Sequence, residues 1–256
     1  MPDTAAETPK IITVADGLGV RQEVDNCTWI DLGGYAVVVD ALEHRHKAAD
    51  VIAAVRDGLG EVPVRYVINT HTHYDHVALN PDFQEQFGAE IVNHSTRDIP
   101  PEGLTFRGSR RPAQMIPAGG CHTDGDCVVW VPSDRTLLTG DLFGWGVLPL
   151  TQPLRPELAQ HLEATYEWLI AFEPETVIPG HGPLATGEHL ARWLAYFRSL
   201  VEHISEACRC DQTDKEILAS TAPPADMRHW WRFADWKHDR NVRVVLRAVR
   251  RGGLGA

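Results

Sequence analysis

No stretch of this chain approaches eighteen consecutive apolar residues, so a transmembrane helix is not expected. Basic residues are in deficit: 24 Lys and Arg stand against 35 Asp and Glu, a net charge of −11. That balance argues against a nucleic-acid backbone as the main partner. It leaves an anionic small-molecule substrate open, because bound metal ions can dominate the local field. Cysteine is scarce and odd in number, five in 256 residues, which argues against a disulfide framework and fits a reducing, cytoplasmic setting. The polar, acid-bearing N-terminus, Met1 to Pro9, lacks the basic start and apolar core of a signal peptide. Internal repeats, low-complexity tracts and linkers are also missing. What is left is ordinary globular composition, 43% hydrophobic and 23% charged. The expectation is one domain over 1–256, with 1–10 a flexible tail and 213–256 a C-terminal helical extension.

Against this plain background one stretch is dense in chemistry. His71-Thr72-His73-Tyr74-Asp75-His76 places four metal-ligating side chains within six residues. It follows the short β-branched and aromatic run Val64 to Ile68, which reads as a buried strand. A strand alternates its side chains, so His71 and His73 share one side. The chain then turns, and Asp75 and His76 face a second point nearby. Such a cluster suits two adjacent ions better than one, and its ligand types suit zinc, iron or manganese. A polar loop is the alternative reading, and the H-x-H-x-D-H pattern weighs against it.

The rest of the chain alternates strands and helices. Strands are expected at Ile11–Val14, within Val20–Ile30, and at Tyr35–Val39, where Asp40 stands at the end, read as a partner orienting a ligand histidine with a plain surface charge as the alternative. A helix over His44–Leu59 completes a β-α-β unit with 64–68. A short helix near Pro81–Phe87 and a strand at Glu90–Asn93 follow, with His94 after it as an unneeded extra ligand. Residues 95–118, rich in Arg, Pro and Gly, read as loop with an edge strand near Gln114–Ile116. His122 follows a Gly-rich turn, 128–131 and 136–139 form a hairpin, and the hairpin ends at Asp141. Helices are expected at 156–172, 188–207, 213–220 and 239–250, and His181 sits in the tight loop Pro179–Pro183 after the strand 176–178.

Each candidate ligand thus sits just after a strand, where several strand ends can converge. His71, His73 and His122 are expected to hold one metal, Asp75, His76 and His181 a second, and Asp141 to bridge them. Two apolar yet irregular stretches, Phe143 to Leu154 and Trp230 to Trp236, are the expected walls of a substrate pocket. Phe143, Trp145, Leu148 and Leu150 are expected to form the apolar wall, with Phe143 and Trp145 as the substrate-contacting residues. Packing in the core, or a homodimer interface, is the competing reading for both stretches.

The motifs His71-Thr72-His73-Tyr74-Asp75-His76, Gly120-Cys121-His122-Thr123, Thr139-Gly140-Asp141 and Pro179-Gly180-His181-Gly182 resemble those of the metallo-β-lactamase fold superfamily. The resemblance runs from about Lys10 to the final helix, and Asp40 matches the acid after that family's early strand. It implies an α/β fold, a four-layer αββα sandwich, with a dinuclear site at one edge. The presence of Asp141 is similar to the glyoxalase II-like and lactonase-like hydrolases rather than to the true β-lactamases.

The expected cofactor is therefore two Zn2+ per chain, with iron or manganese as alternatives. Two ions about 3.5–4 Å apart share a water and lower its pKa, and the resulting hydroxide attacks an ester, thioester or lactone carbonyl. The catalytic assignment falls on Asp75, a ligand that also orients the hydroxide, and on His181. Phosphodiester and β-lactam substrates are alternatives within the same chemistry. A single-iron persulfide dioxygenase and a metal-stabilised binding module are the alternatives from other classes.

Overall fold

The computed structural model describes residues 9–42, 44–252 and 254. Of the tail expected over 1–10, residues 1–8 lie outside the described residues, and Lys10 already opens the first strand.

Six strands form the first sheet, in the order β1 (Lys10–Ala15), β2 (Leu18–Gln22), β3 (Asn26–Asp31), β4 (Ala36–Val39), β5 (Val64–Ile68) and β6 (Glu90–Val92). The first four pair antiparallel, while β4, β5 and β6 run parallel. Parallel pairing demands a crossover. It is supplied between β4 and β5 by α1 (Ala48–Leu59), which buries Val51, Ile52, Val55 and Leu59 at helical spacing. The helix expected from His44 begins only at Ala48, because Arg45–Lys47 form a 3₁₀ turn.

The second sheet has the order β11 (Thr176–Pro179), β10 (Thr136–Gly140), β9 (Cys127–Val131), β8 (Pro112–Pro117) and β7 (Leu104–Arg107). The β7–β8 hairpin lies within the stretch read as loop with one edge strand. Its prolines sit at the ends of β8, where a missing donor costs least, and β7 is an edge strand. The hairpin β9–β10 is antiparallel, and β10–β11 is parallel, bridged by α4 (Pro156–Ala171). Proline at its first position suits α4, since that N–H has no partner within the helix.

Strand alternation sorts the core into layers. Val37, Val39 and Ile68 of the first sheet meet Met115, Val129 and Leu138 of the second, filling the space between the sheets. Ala36, Val38 and Val67 point the other way, onto α1 and Phe83 of α3 (Asn80–Phe87). Val128, Leu137 and Val177 leave the second sheet towards α4, α5 (Gly187–Arg209) and α7 (His238–Arg250). The four layers are helix, sheet, sheet, helix. Burial on both faces explains why Ala36–Val39 is apolar throughout rather than alternating. The C-terminal extension expected from 213 contains α6 (Asp214–Ser220) and α7, with α7 packed on α5; residues 253, 255 and 256 lie outside the described residues. Among the described residues, no helix is long and apolar enough to cross a membrane.

Candidate metal centre

The parallel strands set the site. β4, β5, β10 and β11 all end at one edge of the sandwich, and Asp40, the 71–76 loop, Asp141 and His181 follow those ends. His122 arrives from the turn before β9, and the two sheets are tied here by Cys127 N–H donating to Thr70 O at 2.7 Å. The short helix α2 (Tyr74–Val77) carries Asp75 and His76.

All seven expected ligands come together. Three sets have ligand atoms within 4.8 Å of one another: His71, His73 and His122; His71, Asp75 and His76; His76, Asp141 and His181. Asp141 lies between the sets. Its Oδ1 is 3.3 Å from His76 Nε2, and its Oδ2 is 3.4 Å from His181 Nε2 and 3.5 Å from His122 Nε2. Asp75 Oδ2 is 3.3 Å from His181 Nε2. The expected grouping of Asp75 with His181 is thus met at that contact, while Asp75 also falls beside His71 and His76.

Several atoms here offer lone pairs that a cation would take up. His71 Nε2, His76 Nε2 and Asp141 Oδ1 are buried and lack hydrogen-bond partners. Orphaned buried polar atoms are costly, and so many at one point indicate that a ligand takes them. Imidazole and carboxylate suit zinc, iron or manganese.

The charge balance points the same way. Burial lowers His76, but the Asp40 and Asp141 carboxylates outweigh it and lift the imidazole to about 10. Burial likewise opposes protonation of His181, and Asp141, Asp25 and Asp75 raise it well above its ordinary value. His71 is pushed down to about 2 by burial and by the charge of His76. Burial would raise Asp141, yet His181 and His76 hold it well below the usual carboxylate range. For Asp75 the hydrogen bond from His181 overcomes burial and brings it to about 2. Four carboxylates converge on these rings and call for positive charge.

The rings are held from behind. Thr70 donates to Asp40 from its N–H at 2.8 Å and its hydroxyl at 2.9 Å. Asp40 Oδ2 also lies 3.0 Å from His76 Nδ1, at ion-pair distance though off line for a hydrogen bond. Thr70 Oγ1 is in turn 3.2 Å from His71 Nδ1. Asn69, buried, donates to His76 O at 2.8 Å. His122 is fixed by its N–H to Asp126 Oδ2 at 2.7 Å, with Nδ1 3.2 Å from Pro149 O. Gly180 is required because a Cβ there would collide with Asp141 Oδ1 and the His76 ring.

Asp25 was not among the expected residues. Its Oδ1 stands 2.9 Å from His181 Nδ1, and its backbone bridges that of His181. Asn26 clamps the same loop by donating to Pro179 O and Gly182 O. A buried Asp-Asn pair opening an apolar strand was the one local signal. His94 is exposed and stays out of the cluster.

Phe143 and Trp145 lie elsewhere than the expected pocket wall. Both are buried in the helical core, Trp145 at 6% exposure, with rings 5.6 Å apart and against Trp230. A cavity of about 370 Å³ does adjoin His122, Asp141 and His181. Its walls include Leu148 and Leu150, both expected there, together with Val147 of the first stretch, Trp231 and Trp236 of the second, and Lys237 just beyond it. The positive φ of Trp145 and Gly146 reverses the chain and turns Trp145 inward. Lys237 Nζ ties the two walls by donating to Gly144 O and Trp231 O, both at 2.8 Å, and burial lowers its pKa to about 7.

Asp40→Asn should leave the fold intact and weaken metal binding about 10–100-fold, the usual effect of removing a carboxylate that orients a ligand imidazole. Titration against a competing chelator measures it, and an unchanged affinity would show that Thr70 and Asn69 alone suffice.

The family model for the metallo-beta-lactamase superfamily matches residues 21–114 and 96–181. The chain belongs to that superfamily. A hydroxyacylglutathione hydrolase from Pelagibacter ubique is 30% identical over 120 residues, covering 43% of this chain and 47% of the relative. The chain spans about half the length of the curated relatives it matches. Among solved structures, a metallo-beta-lactamase from Pontibacter korlensis superposes with a TM-score of 0.62 at 18% identity, over 73% of this chain and 98% of that one. A stereoselective inverting sec-alkylsulfatase from Pseudomonas sp. gives a TM-score of 0.69 at 14% identity, over 93% of this chain and 50% of that one. At such identities the structures speak for the fold alone.

Proposed function

We propose that this chain is a metal-dependent hydrolase that takes up two zinc ions and opens acyl thioesters, with esters and lactones as chemically related substrates. The observation that carries the proposal is Asp141, whose carboxylate reaches histidines of both expected sets, His122 of one and His76 and His181 of the other. Two bound ions supply a water of lowered pKa and a Lewis acid for the carbonyl oxygen. His71, His73 and His122 would seat one of them, and Asp75, His76 and His181 the other, with Asp141 shared. A single-iron centre would use one triad and leave His76 and His181 without a role.

The residues around the centre divide the remaining work. Asp75 is half-buried and sits at the open side of the cluster, where it orients the attacking water and accepts its proton. Asp25 and Asp40 keep the His181 and His76 rings in one orientation, which removes a reorganisation cost from the reaction. The water oxygen joins the carbonyl carbon, the carbon–sulfur bond breaks, and the thiolate departs into the cavity beside Leu148 and Trp231. The name of the curated relatives favours a thioester over a β-lactam or a sulfate ester.

The test is metal content together with a substrate panel. Protein loaded with zinc is expected to retain two ions per chain and to hydrolyse an S-acyl glutathione in preference to a β-lactam or an alkyl sulfate. Retention of no more than one ion under metal-replete conditions removes the two-ion centre. Turnover of only the β-lactam or the sulfate ester removes the thioester assignment.

A further inference from the structure

The cavity beside the metal cluster does not end at its own rim. Leu150 and Thr151 continue into a second hollow that reaches Arg247 and Arg251. Trp236 and Arg240 continue into a third, which reaches Arg243 and Arg247. The three hollows share wall residues and follow one another along α7 from the metal centre outward, and they are treated together as one groove.

The outer face of α7 is unusual in this acidic chain. From His238 to Arg251 the sequence carries five arginines, at 240, 243, 247, 250 and 251, and one acid, Asp239. Arg240, Arg243, Arg247 and Arg251 follow one another at three- and four-residue steps, so they stand in one row. At 1.5 Å per residue the row extends about 16 Å. Most exposed arginines elsewhere are neutralised: Arg97, Arg110 and Arg198 pair with Glu90, Asp16 and Glu163, and on α7 itself Arg250 pairs with Asp214. Arg243, Arg247 and Arg251 are exposed, and no ion pair is formed by them among the described residues. Arg240 is spent on the pocket wall, donating to Leu148 O and Leu150 O at 2.8 and 3.0 Å. Asp235 and Asp239 share the third hollow with Arg240, Arg243 and Arg247, whereas the hollow reached by Arg247 and Arg251 has no acid in its wall among the described residues, which moves the seat for an anion towards the outer end of the row.

We propose that this groove holds the thiol portion of the substrate, and that this portion carries two or more phosphate groups. The inference rests on the thioester reading above. A single carboxylate would engage one guanidinium and leave the rest of the row unused. Phosphate groups match the planar fork of arginine and occupy successive side chains. Between the metals and the arginines lies Trp236, 47% exposed, an indole face that would cover the less polar arm joining the sulfur to the phosphates. A nucleic acid fits less well, because the row is short and the chain as a whole repels polyanions.

The experiment compares one acyl group on three thiols: coenzyme A, glutathione and N-acetylcysteamine. With the zinc-loaded full chain, kcat/KM is expected to be about tenfold or more higher for the coenzyme A thioester, an advantage that shrinks as salt is raised. In the Arg243→Glu/Arg247→Glu variant the ratio of coenzyme A to N-acetylcysteamine thioester should fall towards one, with the change in KM. Equal rates on all three thiols, preference for glutathione, or a ratio unmoved in the variant would each overturn the proposal. Calorimetry with S-methyl coenzyme A separates the groove from the chemistry. Binding lost in the variant, with no thioester hydrolysed, keeps the groove and removes the thioester reading. Absence of binding to the wild-type chain removes the groove.

Discussion

Asp141→Ala is expected to cost the protein an ion and nearly all of its activity, while the fold survives. The carboxylate stands within 3.3–3.5 Å of His76, His122 and His181, and among the described residues no other carboxylate reaches histidines of both outer sets in this way. Its removal takes away the shared ligand and the negative charge that offsets two cations held close together. The loss should exceed the 10–100-fold typical for a carboxylate one step behind a ligand, since Asp141 is in the ligand sets themselves. Stability is expected to move less. The metal-free chain holds Asp141 among imidazoles whose positive charge offsets its own, and Asp141 lies at the strand end rather than in the inter-sheet core. Elemental analysis after dialysis gives the stoichiometry, and a thioester assay gives the rate. A variant that keeps two zinc ions and full turnover would show that Asp141 is a bystander.

Asp141 was readable in the sequence because it follows the apolar run Thr136–Thr139 and Gly140, and the same grammar exposed His181 after Pro179-Gly180. Glycine and proline next to a ligand record close approach: at 180 a Cβ would strike Asp141 and His76, and at Gly140, with φ of +51°, it would strike Thr70. The central strands were readable because burial on both faces leaves only β-branched and small apolar residues, as in Ala36–Val39. The β7–β8 hairpin was obscured because its prolines stand at the two ends of β8 and its arginine and glycine at the edge strand β7 and the turn, residues that otherwise signal loops. Asp25 carried only a faint local pattern, the Asp-Asn pair that opens an apolar strand, since it reaches His181 through a contact across 156 residues. The groove along α7 was equally hidden. Its arginines read as a solvated helix face until the shared walls of the hollows joined them to the metal centre.

Trp145→Ala is expected to cost about 3–5 kcal/mol of stability, the range for deleting a large buried aromatic. The sequence reading placed Trp145 against the substrate, because an apolar irregular loop directly after Asp141 must lie near the metals. Proximity was right, but a sequence does not say which way a side chain turns in a loop. With φ of +52° at Trp145 and +97° at Gly146, the chain doubles back and the indole enters the core. There it packs edge-on against Trp230 at 5.7 Å and against His189 at 5.0 Å. Its Nε1 donates to Pro183 O at 2.7 Å, so truncation also leaves a carbonyl without its donor. At about 2–4 °C per kcal/mol for a chain of this size, Tm should fall by roughly 6–20 °C. Pro183 belongs to the loop that presents His181, so metal affinity should weaken slightly with the packing. Relative preference among substrates should stay, because Val147, Leu148 and Leu150 form the wall instead. The measurement is a melting curve on the zinc-loaded and chelated forms, set beside the thioester panel. A variant that melts within 2–3 °C of wild type, roughly 1 kcal/mol on the same scale, yet changes its order of substrates would put Trp145 back at the pocket.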